Sequence, residues 1–336
     1  MIRVGFVTSP LTSGHAVRGV GMYVKHLLPQ LKKQAYNRGI EIIEINNPQD
    51  VTNLRLDMIH YPFFDLFWHS LPIVKPVKTI VTIHDVIPLE FPEHYPPGLR
   101  GSFNLQLQRL ALAGVDQVIV DSYASLKAVH NCLQVPHQKL KLVYLAAGEK
   151  FRQIKDQKLL AKVKQKYSFP EKFVLYVGDV NWNKNIPGLI KACAEIKYSL
   201  VIVGKQAKEL NDLDLTHPEL QHLQGVDWQG VIRLGFVPEE DLVVIYNLAK
   251  VYCQPSFAEG FGIPVLEALA CRTPVACSRT HSLPEIAGSA VTYFDPHDIK
   301  GMAKAILSAK YISGINQVAK FSWERTADET LAVYSS

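Results

Sequence analysis

Glu259 and Glu267 flank the turn Gly260-Phe-Gly-Ile-Pro264, which lies between an apolar run ending at Gln254 and a helical pattern opening at Pro264. A strand that runs through a glycine-bearing loop into a helix leaves the first N–H groups of that helix without intrahelical acceptors. Such groups suit phosphate or sugar oxygens. The amides from Phe261 through Val265, those of Gly262 and Ile263 among them, are the expected donors, with Pro264 where the first turn tolerates a missing N–H. Glu259 is expected in the loop and Glu267 in the first helical turn. Either acid alone reads as a surface residue or a partner of the helix dipole. The pair around this turn reads as binding apparatus. It does not suit glycoside hydrolysis: that chemistry needs carboxyls roughly 5–9.5 Å apart, and eight helical residues span roughly 12 Å.

A second loop, Tyr176-Val-Gly178-Asp-Val-Asn-Trp-Asn-Lys184-Asn185, follows another apolar run. A lysine there can hold a diphosphate as a point charge beside backbone amides. His84 ends the run Thr79–Ile83, with Asp85 placed to orient it or its loop. In the opening loop Ser9–Gly21, Gly19 and Gly21 permit close backbone approach at a helix start and Arg18 adds a cation. The glycines do not complete a dinucleotide fingerprint. Asp212-Leu-Asp214 spells a metal-binding pattern but sits in a polar stretch away from any strand end, so no metal is expected. Tyr61-Pro-Phe-Phe-Asp-Leu-Phe-Trp68 gathers aromatics after a strand end: core if buried, an acceptor or membrane-surface contact if exposed.

These loops need strands and helices to aim them. Strand patterns at Ile2–Val7, Ile40–Ile45, Met58–His60, Thr79–Ile83, Gln117–Val120 and Lys141–Val143 alternate with helical ones at 20–34, 99–113 and 122–132. A second series has strands at Phe173–Val177, Ser199–Val203, Val231–Leu234, Val251–Gln254, 274–276 and 290–294, and helices at 187–196, Glu239–Leu248, 264–271, 282–287 and 299–309. Such alternation predicts two α/β domains with parallel sheets covered on both faces. The polar seam 149–171, with a lysine-rich linker helix at 155–166, divides residues 1–160 from residues 168–317. An amphipathic helix over 321–334 is expected to pack back on the first domain as part of 318–336. Pro29 should kink the first helix. Ligands of doubly wound domains bind beyond the carboxyl ends of the strands.

At 336 residues, 48% hydrophobic and 20% charged, the chain has material for two cores. A net charge of +5 suits anionic ligands or an acidic lipid surface and falls short of a nucleic-acid binder. Five cysteines without CxxC spacing predict neither a disulfide frame nor a zinc site. The strand pattern starts at Ile2 and no apolar run reaches 18 residues, so a leaderless, cytoplasmic protein without a spanning helix is expected.

The segment Glu259–Glu267 resembles the glutamate–seven residues–glutamate signature of the family 4 retaining glycosyltransferases of GT-B fold. The likeness continues through Glu267-Ala-Leu-Ala-Cys-Arg-Thr-Pro-Val-Ala, Ser282-Leu-Pro-Glu-Ile-Ala-Gly, Leu234-Gly-Phe-Val-Pro-Glu-Glu-Asp-Leu and Gly19-Val-Gly-Met-Tyr-Val. It implies two Rossmann-like domains facing across a cleft, and transfer of a hexose (mannose, glucose or N-acetylglucosamine type) from a nucleoside-diphosphate sugar. The acceptor would be a glycan or a lipid-linked glycan. By the same resemblance Glu259 contacts donor hydroxyls, Glu267 holds the ribose, Phe261 and Gly262 touch the sugar, Lys184 binds phosphate, and His84 faces the sugar. The leaving phosphate takes the acceptor's proton, with no metal or other cofactor. Relatives usually add an arginine after the glycine or before the lysine of the phosphate loop; here those positions are Asp179 and Asn183. That departure keeps a non-catalytic nucleotide-sugar-binding module in view, beside a nucleotide-sugar epimerase of the same fold. A peripheral membrane contact fits the expectation; nucleic acid does not.

Overall fold

The computed structural model describes residues 1–11, 19–46 and 54–336, which form two compact units. The first comprises Met1–Pro92, Pro96–Ala146 and Phe321–Ser336; the second comprises Glu93–Tyr95 and Ala147–Lys320. The boundary thus falls at Ala146, ahead of residue 160, and the tail joins the first unit from Phe321.

In the first unit the elements are β1 (Ile2–Val7), α1 (Gly19–Ala35), β2 (Ile40–Ile45), β3 (Met58–Tyr61), β4 (Lys78–Ile83), α2 (Ile87–Glu90), α3 (Gly98–Ala113), β5 (Gln117–Val120), α4 (Tyr123–Leu133) and β6 (Leu140–Leu142). The second holds α5 (Gln157–Lys166), β7 (Phe173–Val177), α6 (Ile186–Glu195), β8 (Ser199–Val203), α7 (Lys205–Lys208), β9 (Val231–Leu234), α8 (Glu239–Leu248), β10 (Val251–Gln254), α9 (Ile263–Ala270), β11 (Val275–Ser278), α10 (Leu283–Ala287), β12 (Thr292–Phe294), α11 (Ile299–Ser308) and α12 (Gly314–Val318). Helix α13 (Trp323–Tyr334) closes the chain. The short helices α2, α7 and α12 are too brief to show a period in the sequence.

Both sheets are parallel and six-stranded, ordered β2-β1-β3-β4-β5-β6 and β12-β11-β10-β7-β8-β9. Counted from β7 as the first strand, the second sheet has the 3-2-1-4-5-6 order of a dinucleotide fold, reversing direction between β7 and β10. Its strands alternate faces, and both faces are buried. Leu175, Val201, Tyr252 and Cys277 enter one cluster, while Val174, Tyr176, Ile202 and Cys253 enter the other. That is why these runs are apolar without alternation.

The lysine-rich helix α5 is no free linker. Val163 is buried with Phe151, Phe169 and Val243, and Lys166 pairs with Asp241 on α8 at 2.5 Å, so α5 is built into the second unit. The tail helix α13 packs along α1. Trp323 stacks on His26 at 5.2 Å, Lys33 meets Glu324 at 3.2 Å, and the Tyr334 hydroxyl lies 2.7 Å from His60 Nδ1. Helix α1 continues through Pro29 to Ala35. Among the described residues no helix is long and apolar enough to cross a membrane.

Candidate active site

The reversal between β7 and β10 sets two loops side by side at the carboxyl ends of adjacent strands, Gly178–Asn185 after β7 and Pro255–Gly262 after β10. Lys184 and Glu259, 75 residues apart, meet there. The lysine Nζ lies 2.9 and 2.8 Å from the two carboxylate oxygens, and the side chains are 21% and 9% exposed. Glu259 Oε1 also accepts from Gln254 Nε2 at 2.8 Å and from Ser256 Oγ at 2.6 Å. Gln254 is itself held by the Tyr252 hydroxyl. Strand β10 therefore sends its last side chain, and the loop its second, to aim one carboxylate.

The backbone around that carboxylate is pinned by hydroxyls. Ser278 Oγ donates to the Ser256 carbonyl at 2.6 Å. Ser282 Oγ lies 2.9 Å from the carbonyls of both Glu259 and Phe261, available to either with its one proton. At the helix start Gly262 takes φ +102°, a conformation that favours glycine, and an added Cβ would stand 2.9 Å from Leu283. The expected run of amide donors narrows here. Pro264 has no N–H and Val265 donates to the Gly262 carbonyl at 3.0 Å, which takes two of the five out of the set; the amides of Gly262 and Ile263 stand at the N-terminus of α9. Phe261 is buried at 5% exposure.

Asn183, in one of the positions where an arginine was expected, cross-links the loops. Its Nδ2 donates to the Ala258 carbonyl at 2.9 Å, its carbonyl accepts from Phe257 N at 2.8 Å, and its own N–H and Oδ1 both engage the Tyr95 hydroxyl, at 3.2 and 2.7 Å. His94 stacks on Trp182 with ring centres 3.6 Å apart. Lys184 and Glu259 are the residues immediately after the two that Asn183 joins. Asn185, expected to bind donor, instead braces the backbone. It takes the left-handed conformation, and its Nδ2 holds the carbonyls of Pro255 and Pro296 at 3.2 and 2.8 Å. Gly178 has φ +147°, and a Cβ there would stand 2.8 Å from the Tyr176 hydroxyl.

Glu267 is the fifth residue of α9, in its second turn. The first turn of this helix carries no acid, so Glu267 is no dipole partner. It is 8% exposed and accepts from the buried Tyr246 hydroxyl at 2.7 Å. Burial pushes its carboxyl up from 4.5 to about 7, with Tyr246 pulling down and Glu239 pushing further up. A carboxyl so placed changes protonation near neutrality.

In the first unit, His84 follows β4, one-fifth exposed, its Nδ1 2.6 Å from Asp121 Oδ2 and its Nε2 3.1 Å from the Pro62 carbonyl. The Pro62 carbonyl can only accept, so Nε2 donates, and Nδ1 faces the Asp121 carboxyl. Burial alone would lower its pKa; the charge and hydrogen bond of Asp121, with the charge of Asp85, lift it above the ordinary value. Asp121 is 2% exposed, and among the described residues its Oδ1 has no hydrogen-bond partner. Asp85 accepts from Ile87 N at 3.1 Å, so it orients its own loop.

Gly19 is exposed at the start of α1 and Gly21 is buried within it; Arg18 lies outside the described residues. Asp214 accepts from Thr216 at 2.9 and 2.6 Å in an exposed turn, and the described residues contain no group of three or more acids, histidines or cysteines that could hold a metal ion. The aromatic run divides: Tyr61 and Leu66 are buried, while Trp68 is 61% exposed. Sequence reasoning missed Gln254, Ser256, Ser278, Ser282, Tyr95, Tyr246 and Asp121. Their one signal was a polar residue closing an apolar run, as at Gln254, Ser278 and Asp121.

Residues 156–313 match the family described as glycosyl transferases group 1. The serotype-specific mannosyltransferase WbdA of Escherichia coli is 30% identical over 301 residues, 82% of this chain but 36% of that protein. The chain therefore spans about a third of the length of WbdA. The O-antigen chain mannosyltransferase B of Escherichia coli is 29% identical over 274 residues, 76% of this chain and 70% of that one. Among solved structures, sucrose-phosphate synthase from Thermosynechococcus elongatus superposes with a TM-score of 0.73 at 20% identity, covering 100% of this chain and 98% of that one. Anabaena Alr3699/HepE, in complex with UDP and glucose, gives 0.72 at 16% identity over the whole of both chains. The two parallel sheets are accordingly those of the GT-B fold, and residues 156–313 belong to the group 1 glycosyl transferases.

Proposed function

We propose that the chain transfers a hexose, of mannose type in view of its relatives, from a nucleoside-diphosphate sugar to a hydroxyl of a glycan or lipid-linked glycan. The observation that carries this reading is the Lys184–Glu259 pair at the strand-order reversal beside the N-terminus of α9. It offers a cation and helix-end amides for a diphosphate, and a fixed carboxylate for sugar hydroxyls, within one small region. On donor binding the phosphate oxygens take over Lys184, and Glu259, still held by Gln254 and Ser256, accepts from the hexose. Glu267 takes the ribose. By the family resemblance, His84 orients the hexose. A peripheral membrane location belongs to the same reading.

The reaction proceeds with retention and without a metal. The bond from the anomeric carbon to the phosphate oxygen breaks, while the bond to the acceptor oxygen forms on the same face. The acceptor's proton passes to the departing phosphate oxygen, so no protein base is needed. Lys184 and the amides of Gly262 and Ile263 stabilise the charge that builds on the leaving group, and positioning of the two substrates supplies much of the rate.

The test offers nucleoside-diphosphate mannose, glucose and N-acetylglucosamine with mannoside acceptors, with and without EDTA, and reads the product's anomeric configuration by NMR. An α-linked product from an α-linked donor, formed equally in EDTA, is expected. An inverted product, or loss of turnover in EDTA, contradicts the mechanism; donor binding without turnover on any acceptor contradicts transfer itself.

A further inference from the structure

On the side it turns away from the core, helix α3 carries three large apolar residues around one exposed glutamine, Gln106. Leu99, Phe103 and Leu110 are 95%, 65% and 58% exposed. At 3.6 residues per turn they fall within about 40° of one another, along roughly 16 Å of helix. Beside them runs the segment 66–75, where Trp68, Ile73 and Val74 are 61%, 43% and 78% exposed. The two are fastened together. Asn104 donates to the Phe67 carbonyl at 2.8 Å, Gln108 to the Asp65 carbonyl at 2.8 Å, and Lys75 to the Ala111 carbonyl at 2.8 Å. The six exposed side chains are therefore carried on two fastened segments, with Trp68 toward the start of α3 and Ile73 and Val74 toward its end. Isolated exposed apolar residues are ordinary; a gathered group of this kind marks a binding surface.

Charge identifies the occupant. Neither α3 nor the segment 66–75 contains an aspartate or glutamate, and their ionised groups are Lys75, Arg100 and Arg109. Both arginines are exposed; Arg100 lies over the Trp68 ring at 5.0 Å and Arg109 reaches the Cys132 carbonyl at 3.1 Å. An amphipathic tryptophan coupled to a cation, next to long apolar side chains on a helix, has the chemistry of a helix lying in the headgroup region of an acidic bilayer. A protein partner of matching affinity would more commonly present acids opposite these cations, and the two segments supply none for a second copy.

We infer that α3 and the segment 66–75 dock the first unit on an anionic lipid surface, with Trp68, Leu99, Phe103 and Leu110 entering the headgroup layer and Arg100 and Arg109 facing lipid phosphates. The inference rests on the lipid-linked acceptor of the reading above for its purpose, yet it is measured without donor or acceptor. Failure here leaves the donor site standing, and loss of donor binding leaves this surface standing.

The test is co-sedimentation of the full chain with vesicles of phosphatidylglycerol and phosphatidylethanolamine, against phosphatidylcholine alone. Binding to the acidic vesicles that weakens with added salt is expected. The variant Trp68→Ser/Leu99→Ser/Phe103→Ser should lower the partition constant at least about tenfold, and Arg100→Glu/Arg109→Glu should abolish the preference for acidic lipid. Because the substituted side chains are exposed, melting temperatures should stay at the wild-type value, which separates lost docking from lost folding. No binding to acidic vesicles, equal binding to neutral ones, or a dimer that forms through this surface in sedimentation velocity would each overturn the assignment.

Discussion

Replacing Glu267 by glutamine should make the protein more stable at neutral and alkaline pH. The carboxyl is buried against Tyr246 and lifted from 4.5 to about 7. At about 1.4 kcal/mol per tenfold change in proton affinity, keeping it ionised in the folded state costs up to about 3 kcal/mol. Between pH 4.5 and about 7 the folded chain holds this proton while the unfolded chain has released it, so stability falls as pH rises through that window and levels off above it. Glu267→Gln keeps an acceptor for the Tyr246 hydroxyl and removes the titration. Above pH 7 its melting temperature should exceed the wild type by about 5–10 °C, given roughly 2–4 °C per kcal/mol for a unit of this size. Below pH 4.5 the two should coincide. The assay is thermal melting of both proteins across pH 4–9. Parallel curves would refute the assigned burial and charge of Glu267. Under the proposed role at the ribose, the stabilised variant should also bind donor more weakly.

Asp121→Asn removes the carboxylate that raises the His84 pKa. A folded-state pKa raised above 6.5 means that the stabilisation from this pair is present below pH 6.5 and lost as pH rises through the folded value. The variant should therefore lose the alkaline part of that dependence, and the high-pH limb of kcat/KM should move to lower pH; an unmoved limb contradicts the assigned coupling of His84 to Asp121. Tyr95→Phe leaves the N–H and Oδ1 of the buried Asn183 without their hydroxyl. It should cost about 1–3 kcal/mol in chemical unfolding and raise the donor KM more than it lowers kcat. An unchanged donor KM would show that Tyr95 does not position the Lys184 loop.

The sheets were legible because both faces of each strand are buried, which forces long apolar runs such as Phe173–Val177, and because helices with strong caps, Ser122 and Asp298 among them, declare their starts. The seam was misplaced because a lysine-rich face resembles a linker; only contacts reveal that α5 lies against α8. At the site, Lys184 and Glu259 were legible as types in loops, but their contact depends on the reversal of strand order between β7 and β10, which no local pattern encodes. The network behind them was hidden for the same reason. Tyr95 reaches Asn183 across 88 residues and Asp121 reaches His84 across 37, and a polar residue at the end of an apolar run does not say what it will meet.

The joint grip of Lys184 and Glu259 on a sugar attached to a diphosphate is tested most directly by calorimetric titration. Wild type, Lys184→Met and Glu259→Gln are each titrated with the preferred nucleoside-diphosphate sugar and with the free nucleoside diphosphate. Lys184→Met should weaken both ligands by at least about 100-fold, roughly 2.7 kcal/mol. Glu259→Gln should weaken the sugar-bearing ligand and leave the bare diphosphate within a few-fold of wild type. Wild-type affinity of Lys184→Met for the diphosphate, in a protein that melts normally, would contradict that grip.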